Sequence, residues 1–258
     1  MTSRANGPWL PYGTGAGAAV RLFCLPHAGS GASVYRAWGV AMPPAVAVCP
    51  VQLPGREQRF GDAPYLHFRP LVRDLAKYLI EVAEPPYAVF GHSVGAMVAF
   101  ELVRELERQG GVPPVHLFVA GRHAPHLPSP EVDLRDAPVA RLADAMRELG
   151  GTPEVVLNDP DLLATTIALL RADLSVNETY DYVAQPPLDV PVAAFAATAD
   201  PRASCEAIAD WERHTRRQFQ LHVLPGGHFA ILKHAAIVHS QIVAALAGSG
   251  LLADGARH

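Results

Sequence analysis

Short apolar runs alternate with amphipathic stretches along most of this chain. Residues 20–26, 45–51, 87–90, 115–120, 190–197 and 219–224 are apolar runs bounded by Gly, Pro or polar clusters, the pattern of buried strands. Helical spacing follows all of them but the fourth directly. Residues 34–40, 65–82, 97–108, 204–213 and 230–247 read as helices, and in the second of these Leu71, Leu75, Tyr78, Leu79 and Val82 share one face. A strand–helix alternation of this kind predicts an α/β domain with a mostly parallel central sheet flanked by helices on both faces.

The rhythm breaks once. From Gly121 to about Pro187 there is no strand pattern, and Pro125, Pro128 and Pro130 mark an irregular start. Residues 139–149 and 162–176 read as two helices joined by a Gly-Gly-Thr-Pro loop. One crossover does not need so long a segment, so residues 123–185 are expected to form a helical lid inserted between sheet strands. Leu162, Leu163, Ile167 and Leu170 make one helical stripe, which suits either the packing of that insertion or the wall of a cavity. Residues 1–18 and 248–258, rich in small residues, are expected as flexible tails on a single domain spanning 19–247.

Composition narrows the classes. Half of the 258 residues are apolar and the net charge is −4, which suits a large core and argues against nucleic-acid binding. The three cysteines, Cys24, Cys49 and Cys205, lie far apart, so neither a disulfide framework nor a structural zinc site is expected. His116, His123 and His126 lack an acidic cluster to complete a metal site. With no apolar leader and no apolar run of membrane-spanning length, a soluble, cytoplasmic, monomeric protein without membrane contact is expected.

Candidate chemistry sits where strands meet loops. Gly91-His92-Ser93-Val94-Gly95 lies between the run 87–90 and the helix that follows. A serine on so tight a turn is exposed at a helix start, the nucleophile elbow of α/β-hydrolases. Asp200 and His228 follow the next apolar runs, giving the order Ser…Asp…His at successive strand ends. Serine needs a base, His228 has a suitable pKa range, and Asp200 would hold its tautomer. Asp189 and Asp210 are rival acids that do not sit at strand exits. Val94 N–H, next to the nucleophile, is one candidate oxyanion donor, and the loop His27–Gly29 offers a second, assigned to Ala28. That loop also has the look of a nucleotide site, but Val34 stands where a third Gly or Ala belongs and no acid follows at the required spacing. Arg56 and Arg59 read as surface ion-pair partners or as binders of an anionic substrate group. His92 is expected to pack or hydrogen-bond beneath the elbow.

Taken together, Pro26-His-Ala-Gly-Ser-Gly, Leu53-Pro-Gly-Arg-Glu-Gln-Arg59, Gly91-His-Ser-Val-Gly-Ala96, Asp200-Pro and Gly226-Gly-His-Phe229 resemble the type II thioesterases of polyketide and nonribosomal peptide assembly lines. The resemblance runs from about residue 20 to 246. It departs at Pro26, where His-His is commoner, and at Val94, where Met is common. It implies an α/β-hydrolase fold and hydrolysis of aberrant or stalled acyl groups from the phosphopantetheine arm of an acyl or peptidyl carrier protein, with no cofactor. A small-molecule carboxylesterase or lipase and an acyltransferase or cyclising thioesterase use the same triad. A non-catalytic binding protein would be expected to have lost part of it.

Overall fold

The computed structural model describes residues 7–128 and 134–252. The first half runs β1 (Val20–Leu25), a 3₁₀ turn (Ala32–Tyr35), α1 (Arg36–Ala41), β2 (Val46–Pro50), α2 (Phe68–Val82), β3 (Tyr87–His92), α3 (Val94–Arg108) and β4 (Leu117–Ala120). The second half adds α4 (Val139–Leu149), α5 (Glu154–Asn158), α6 (Pro160–Glu178), β5 (Val192–Ala197), α7 (Cys205–Ala209), β6 (Phe219–Leu224), α8 (Ala230–Lys233) and α9 (Ala235–Gly248). Six strands form one sheet in the order β2-β1-β3-β4-β5-β6, and each neighbouring pair is parallel.

Each inner strand is buried along its whole length, as a parallel sheet covered on both faces requires. Alternate residues serve opposite layers. Phe23, Val89, Leu117 and Ala194 face α2 and α3, while Leu22, Phe90, Phe118 and Phe195 face Trp38 of α1 and Ile242 of α9. A parallel sheet gathers its strand exits along one edge, where ligand sites form. Register makes that edge compact: Leu25 stands opposite Gly91, His92 opposite Ala120, and Ala120 opposite Phe195.

Between β4 and β5 the described residues contain α4, α5 and α6 and no strand. Residues 129–133 of the expected insertion lie outside the described residues. The helices share a small core of Leu142, Met146, Leu157, Ile167 and Leu174. Much of the leucine stripe therefore packs the insertion itself, with Leu162 exposed and Leu170 reaching the cavity described below. Helix α6 begins earlier than its apolar spacing predicts. Asp159 caps it, its Oδ1 accepting from the N–H groups of Asp161 and Leu162 at 3.0 and 3.0 Å, with Pro160 in the first turn. The C-terminal helix is broken at His234, whose Nε2 reaches the Pro225 carbonyl at 3.0 Å.

The expected N-terminal tail needs correction. Trp9 and Leu10 are buried at 7% and 0% exposure in the core beneath α2. Trp9 stacks on Tyr65 at 6.1 Å, lies under Arg59, and accepts the Gln52 N–H on its carbonyl at 2.8 Å. Two large apolar residues among glycines and prolines make no periodic signal, so their burial is visible only in three dimensions. At the other end, Leu251 and Leu252 pack against the α9 side of the core; residues 1–6 and 253–258 lie outside the described residues. Leu10→Ala should lower stability by about 2–5 kcal/mol, measured as a shift in the urea midpoint; a free tail would leave the midpoint unchanged.

Candidate active site

At the exit of β3 the backbone turns at Ser93 with φ 57 and ψ −121, a left-handed conformation unusual for a residue with a Cβ. Such strain costs roughly 1–3 kcal/mol and persists only where the surroundings enforce it. Two glycines do so. A Cβ on Gly91 would overlap the Gly95 carbonyl, and one on Gly95 would lie 2.5 Å from both the Leu25 and Pro26 carbonyl oxygens. The start of α3 is thereby pressed onto the end of β1. Ser93 N–H donates to the Ala120 carbonyl at 2.8 Å, tying the turn to β4 as well.

Asp200 and His228 meet across the exits of β5 and β6. The Asp200 side chain is fully buried and that of His228 is 5% exposed. His228 Nδ1–H donates to Asp200 Oδ2 at 2.9 Å, and Asp200 Oδ1 accepts the Arg202 N–H at 2.8 Å. In the neutral imidazole, the tautomer that makes this bond has Nε2 as its acceptor. Ser93 and His228 line one cavity of about 420 Å³. No hydrogen bond joins Ser93 Oγ to His228 among the described residues; catalytic contacts of this kind commonly tighten on binding. The rival acids are engaged elsewhere, Asp189 with Arg217 and Asp210 with Arg213.

Ala28 and Val94 line the same cavity. Val94 opens α3, so its N–H has no partner within the helix. In the loop after β1, the Gly29 N–H is taken by Asp173 Oδ2 at 2.7 Å, while Ala28 N–H makes no hydrogen bond among the described residues.

His92 is fully buried under the elbow, and burial, reinforced by His228 and His27, holds its pKa well below 6.5. It is neutral, with Nε2–H donating to the His228 carbonyl at 3.0 Å. Its Nδ1 then faces His27 Nδ1–H at 3.4 Å. His27 is likewise held neutral, its pKa lowered to about 3 by burial and by His228.

Arg56 departs from both sequence readings. It is 4% exposed, and its Nη1 and Nη2 each lie 2.7 Å from a carboxylate oxygen of Asp173 on α6, 117 residues away. Nothing in the sequence singled out Asp173, although one signal was present: Leu170, Asp173, Leu174 and Asn177 fall on one face of the helix. An acid on such a stripe needs a buried partner. Arg122 was also missed. It lines the cavity, is buried, and burial lowers its guanidinium to about 10, leaving it charged at neutral pH.

Much of the remaining cavity wall is apolar, with Ser33, Thr152, Thr166 and Arg202 among the polar exceptions. Leu142 and Met146 of α4, Val156 of α5 and Leu170 and Leu174 of α6 roof it, and Phe229 closes one side. The arrangement offers a hydroxyl, an oriented imidazole, the backbone of Ala28 and Val94 on the same cavity, and a largely apolar wall.

Proteins of known kind share this chain's pattern. A family model described as Thioesterase domain matches residues 20–246. The gramicidin S biosynthesis protein GrsT of Aneurinibacillus migulanus is 37% identical over 227 residues, covering 88% of this chain and 89% of that protein. The RedJ thioesterase from the prodiginine biosynthetic pathway of Streptomyces coelicolor superposes with a TM-score of 0.85 at 38% identity, over 90% of this chain and 92% of that one. BorB, the type II thioesterase from the borrelidin biosynthetic cluster, gives 0.82 at 33% identity, over 93% of this chain and 96% of that one.

The buried histidines make stability depend on pH. Burial lowers His27 to about 3 and His116 and His214 to about 4, against about 6.5 in an unfolded chain. Below pH ~6.5 the unfolded chain therefore binds protons that the folded one refuses. The stabilisation is complete above that pH and is lost as pH falls toward about 4. Between pH ~6.5 and ~5, above the carboxylate range, the urea midpoint should fall with uptake of more than one proton. A flat midpoint over that window would mean that these imidazoles are not held neutral.

Proposed function

The chain belongs to the thioesterase-domain family and is a serine hydrolase acting on thioesters, and from that premise we propose that it clears aberrant or stalled acyl groups from carrier proteins of polyketide or nonribosomal peptide synthesis. The carrier presents the acyl group on its phosphopantetheine arm. The observation that carries the catalytic reading is the His228–Asp200 hydrogen bond beside the cavity that Ser93 lines. The editing role is supported by the likeness to GrsT, RedJ and BorB over nearly whole chains.

In this reading Ser93 Oγ attacks the thioester carbonyl carbon while His228 Nε2 takes its proton. Negative charge develops on the former carbonyl oxygen, where the N–H groups of Ala28 and Val94 receive it. The start of α3 adds its dipole at the same point. Collapse expels the pantetheine sulfur, which leaves as the thiol after His228 returns the proton. A water molecule, losing a proton to His228, then attacks the acyl-enzyme and releases the acid and the free serine. Asp200 holds Nδ1–H throughout and stabilises the transient imidazolium.

The acyl tail lies under the roof of α4, α5 and α6. An apolar roof discriminates weakly, each methylene being worth only ~1–3 kcal/mol. Tolerance of many acyl groups suits an enzyme whose targets are varied, and selectivity then rests on the carrier and its arm.

Two outcomes follow. A serine-directed fluorophosphonate should label Ser93, read by mass spectrometry of the digest, and Ser93→Ala should lower kcat on the order of 10⁶-fold with the fold intact by circular dichroism. Labelling at another residue would sink the assignment. Separately, kcat/KM should be higher for butyryl carrier protein than for the same acyl group on N-acetylcysteamine. Equal values would remove carrier recognition, and still faster turnover of p-nitrophenyl butyrate would make the protein a small-molecule esterase.

A further inference from the structure

Asp173 stands apart from the Ser93, Asp200 and His228 set, yet it is the buried carboxylate that touches the loop after β1. It is 5% exposed and sits on α6, in the segment inserted between β4 and β5. Its Oδ2 accepts the Gly29 N–H at 2.7 Å and Arg56 Nη1–H at 2.7 Å, and its Oδ1 accepts Arg56 Nη2–H at 2.7 Å. Arg56 Nη1 also donates to the Ser30 carbonyl at 2.9 Å. Ser30 in turn donates from N and Oγ to the His27 carbonyl, at 3.3 and 2.8 Å.

The consequence lies in the peptide planes. A trans peptide points its C=O and N–H in opposite directions. With the His27 carbonyl held by Ser30, the N–H of that same plane, Ala28 N–H, must point the other way. The next plane is held at Gly29 N–H by Asp173. Gly29 itself has φ +77, a left-handed conformation, so neither plane is held in place by a regular element. Asp173 thus grips the loop twice, directly at Gly29 and through Arg56 at Ser30.

We propose that Asp173 is a positioning residue for the oxyanion hole, and that through it the placement of α6 sets how well Ala28 N–H meets the developing charge. Hydrolysis is then coupled to the helix that roofs the acyl group: when α6 is seated, the donor is aimed, and when α6 lifts, the donor is released. This rests on the serine mechanism proposed above. A donor of this kind acts in the transition state, so its loss lowers kcat and spares KM.

Two double variants separate positioning from mere stability. Arg56→Met with Asp173→Leu replaces the buried ion pair by apolar side chains, an exchange that proteins often tolerate, and leaves Gly29 N–H without an acceptor. Arg56→Met with Asp173→Asn is matched in size and keeps an acceptor. With butyryl-N-acetylcysteamine as substrate, the Leu variant should lose about 100-fold in kcat with KM within about two-fold. A butyl trifluoromethyl ketone, whose hemiketal places an oxyanion in the hole, should bind it more weakly by a similar factor. The Asn variant should regain about tenfold of that loss in kcat. Equal kcat in the two variants, or a loss confined to KM, overturns the proposal. If the Leu variant does not fold, hydrogen exchange on the unaltered protein decides: the Gly29 amide should be protected, and exchange at the rate of an open loop overturns it. Fluorophosphonate labelling is run alongside. Ser93 unlabelled in the unaltered protein brings down the serine mechanism and this inference with it. Ser93 labelled throughout, with equal kcat in both variants, brings down the role of Asp173 alone.

Discussion

Gly95 rests against the carbonyl oxygens of Leu25 and Pro26, and the geometry of the catalytic edge follows from that contact. No side chain fits there: a Cβ would come within 2.5 Å of both oxygens. Because two backbones touch, the start of α3 is brought against the loop that leaves β1. Val94 and Ala28, 66 positions apart in the chain, then face one cavity. The same closeness forces Ser93 to a positive φ, and the strain is supported by a sheet whose inner strands are buried on both faces. A looser junction would relax the serine and part the two N–H groups together.

Electrostatics at this edge separates three histidines that lie side by side. His228 has a carboxylate on Nδ1, so a proton gained at Nε2 would be stabilised by the buried carboxylate of Asp200. Among the described residues His27 and His92 have no such partner; burial keeps them neutral, and they serve as hydrogen-bonding spacers. His92 holds the His228 backbone through its carbonyl. A charged neighbour in either place would oppose an imidazolium at His228. Gly121 completes the packing: a Cβ on it would sit 3.0 Å from His92 Nε2 and 3.4 Å from His228 Cε1.

The inserted helices do more than roof the cavity. Their apolar faces form a small core of their own and also supply much of the cavity wall. Among the ties between these helices and the rest of the fold, the buried Arg56–Asp173 pair is the one that reaches the loop after β1. A pair so enclosed is costly to break and adds little net stability. Its presence makes sense as a device that specifies one arrangement of helix and loop.

The sequence by itself determined the elements and their order. Periodicity two or three-and-a-half residues long is a local property, so the strands, the long amphipathic helices and the interruption after β4 were all legible, as was the place of Ser93, Asp200 and His228 at strand exits. The Gly-x-Ser-x-Gly spacing was legible for the same reason, being dictated by a single turn. Contacts between distant residues left no such trace. Arg56 looked like a surface cation because its partner lies 117 residues away. Trp9 and Leu10 looked like part of a loose tail because two apolar residues make no period, and only the groove beside Tyr65 and Tyr78 gives them a place. The tertiary structure alone decided that, among the described residues, Gly29 N–H is engaged and Ala28 N–H is not. Which of two adjacent peptide groups faces a cavity depends on the planes set by the neighbours packed around them, and those neighbours come from three separate stretches of chain.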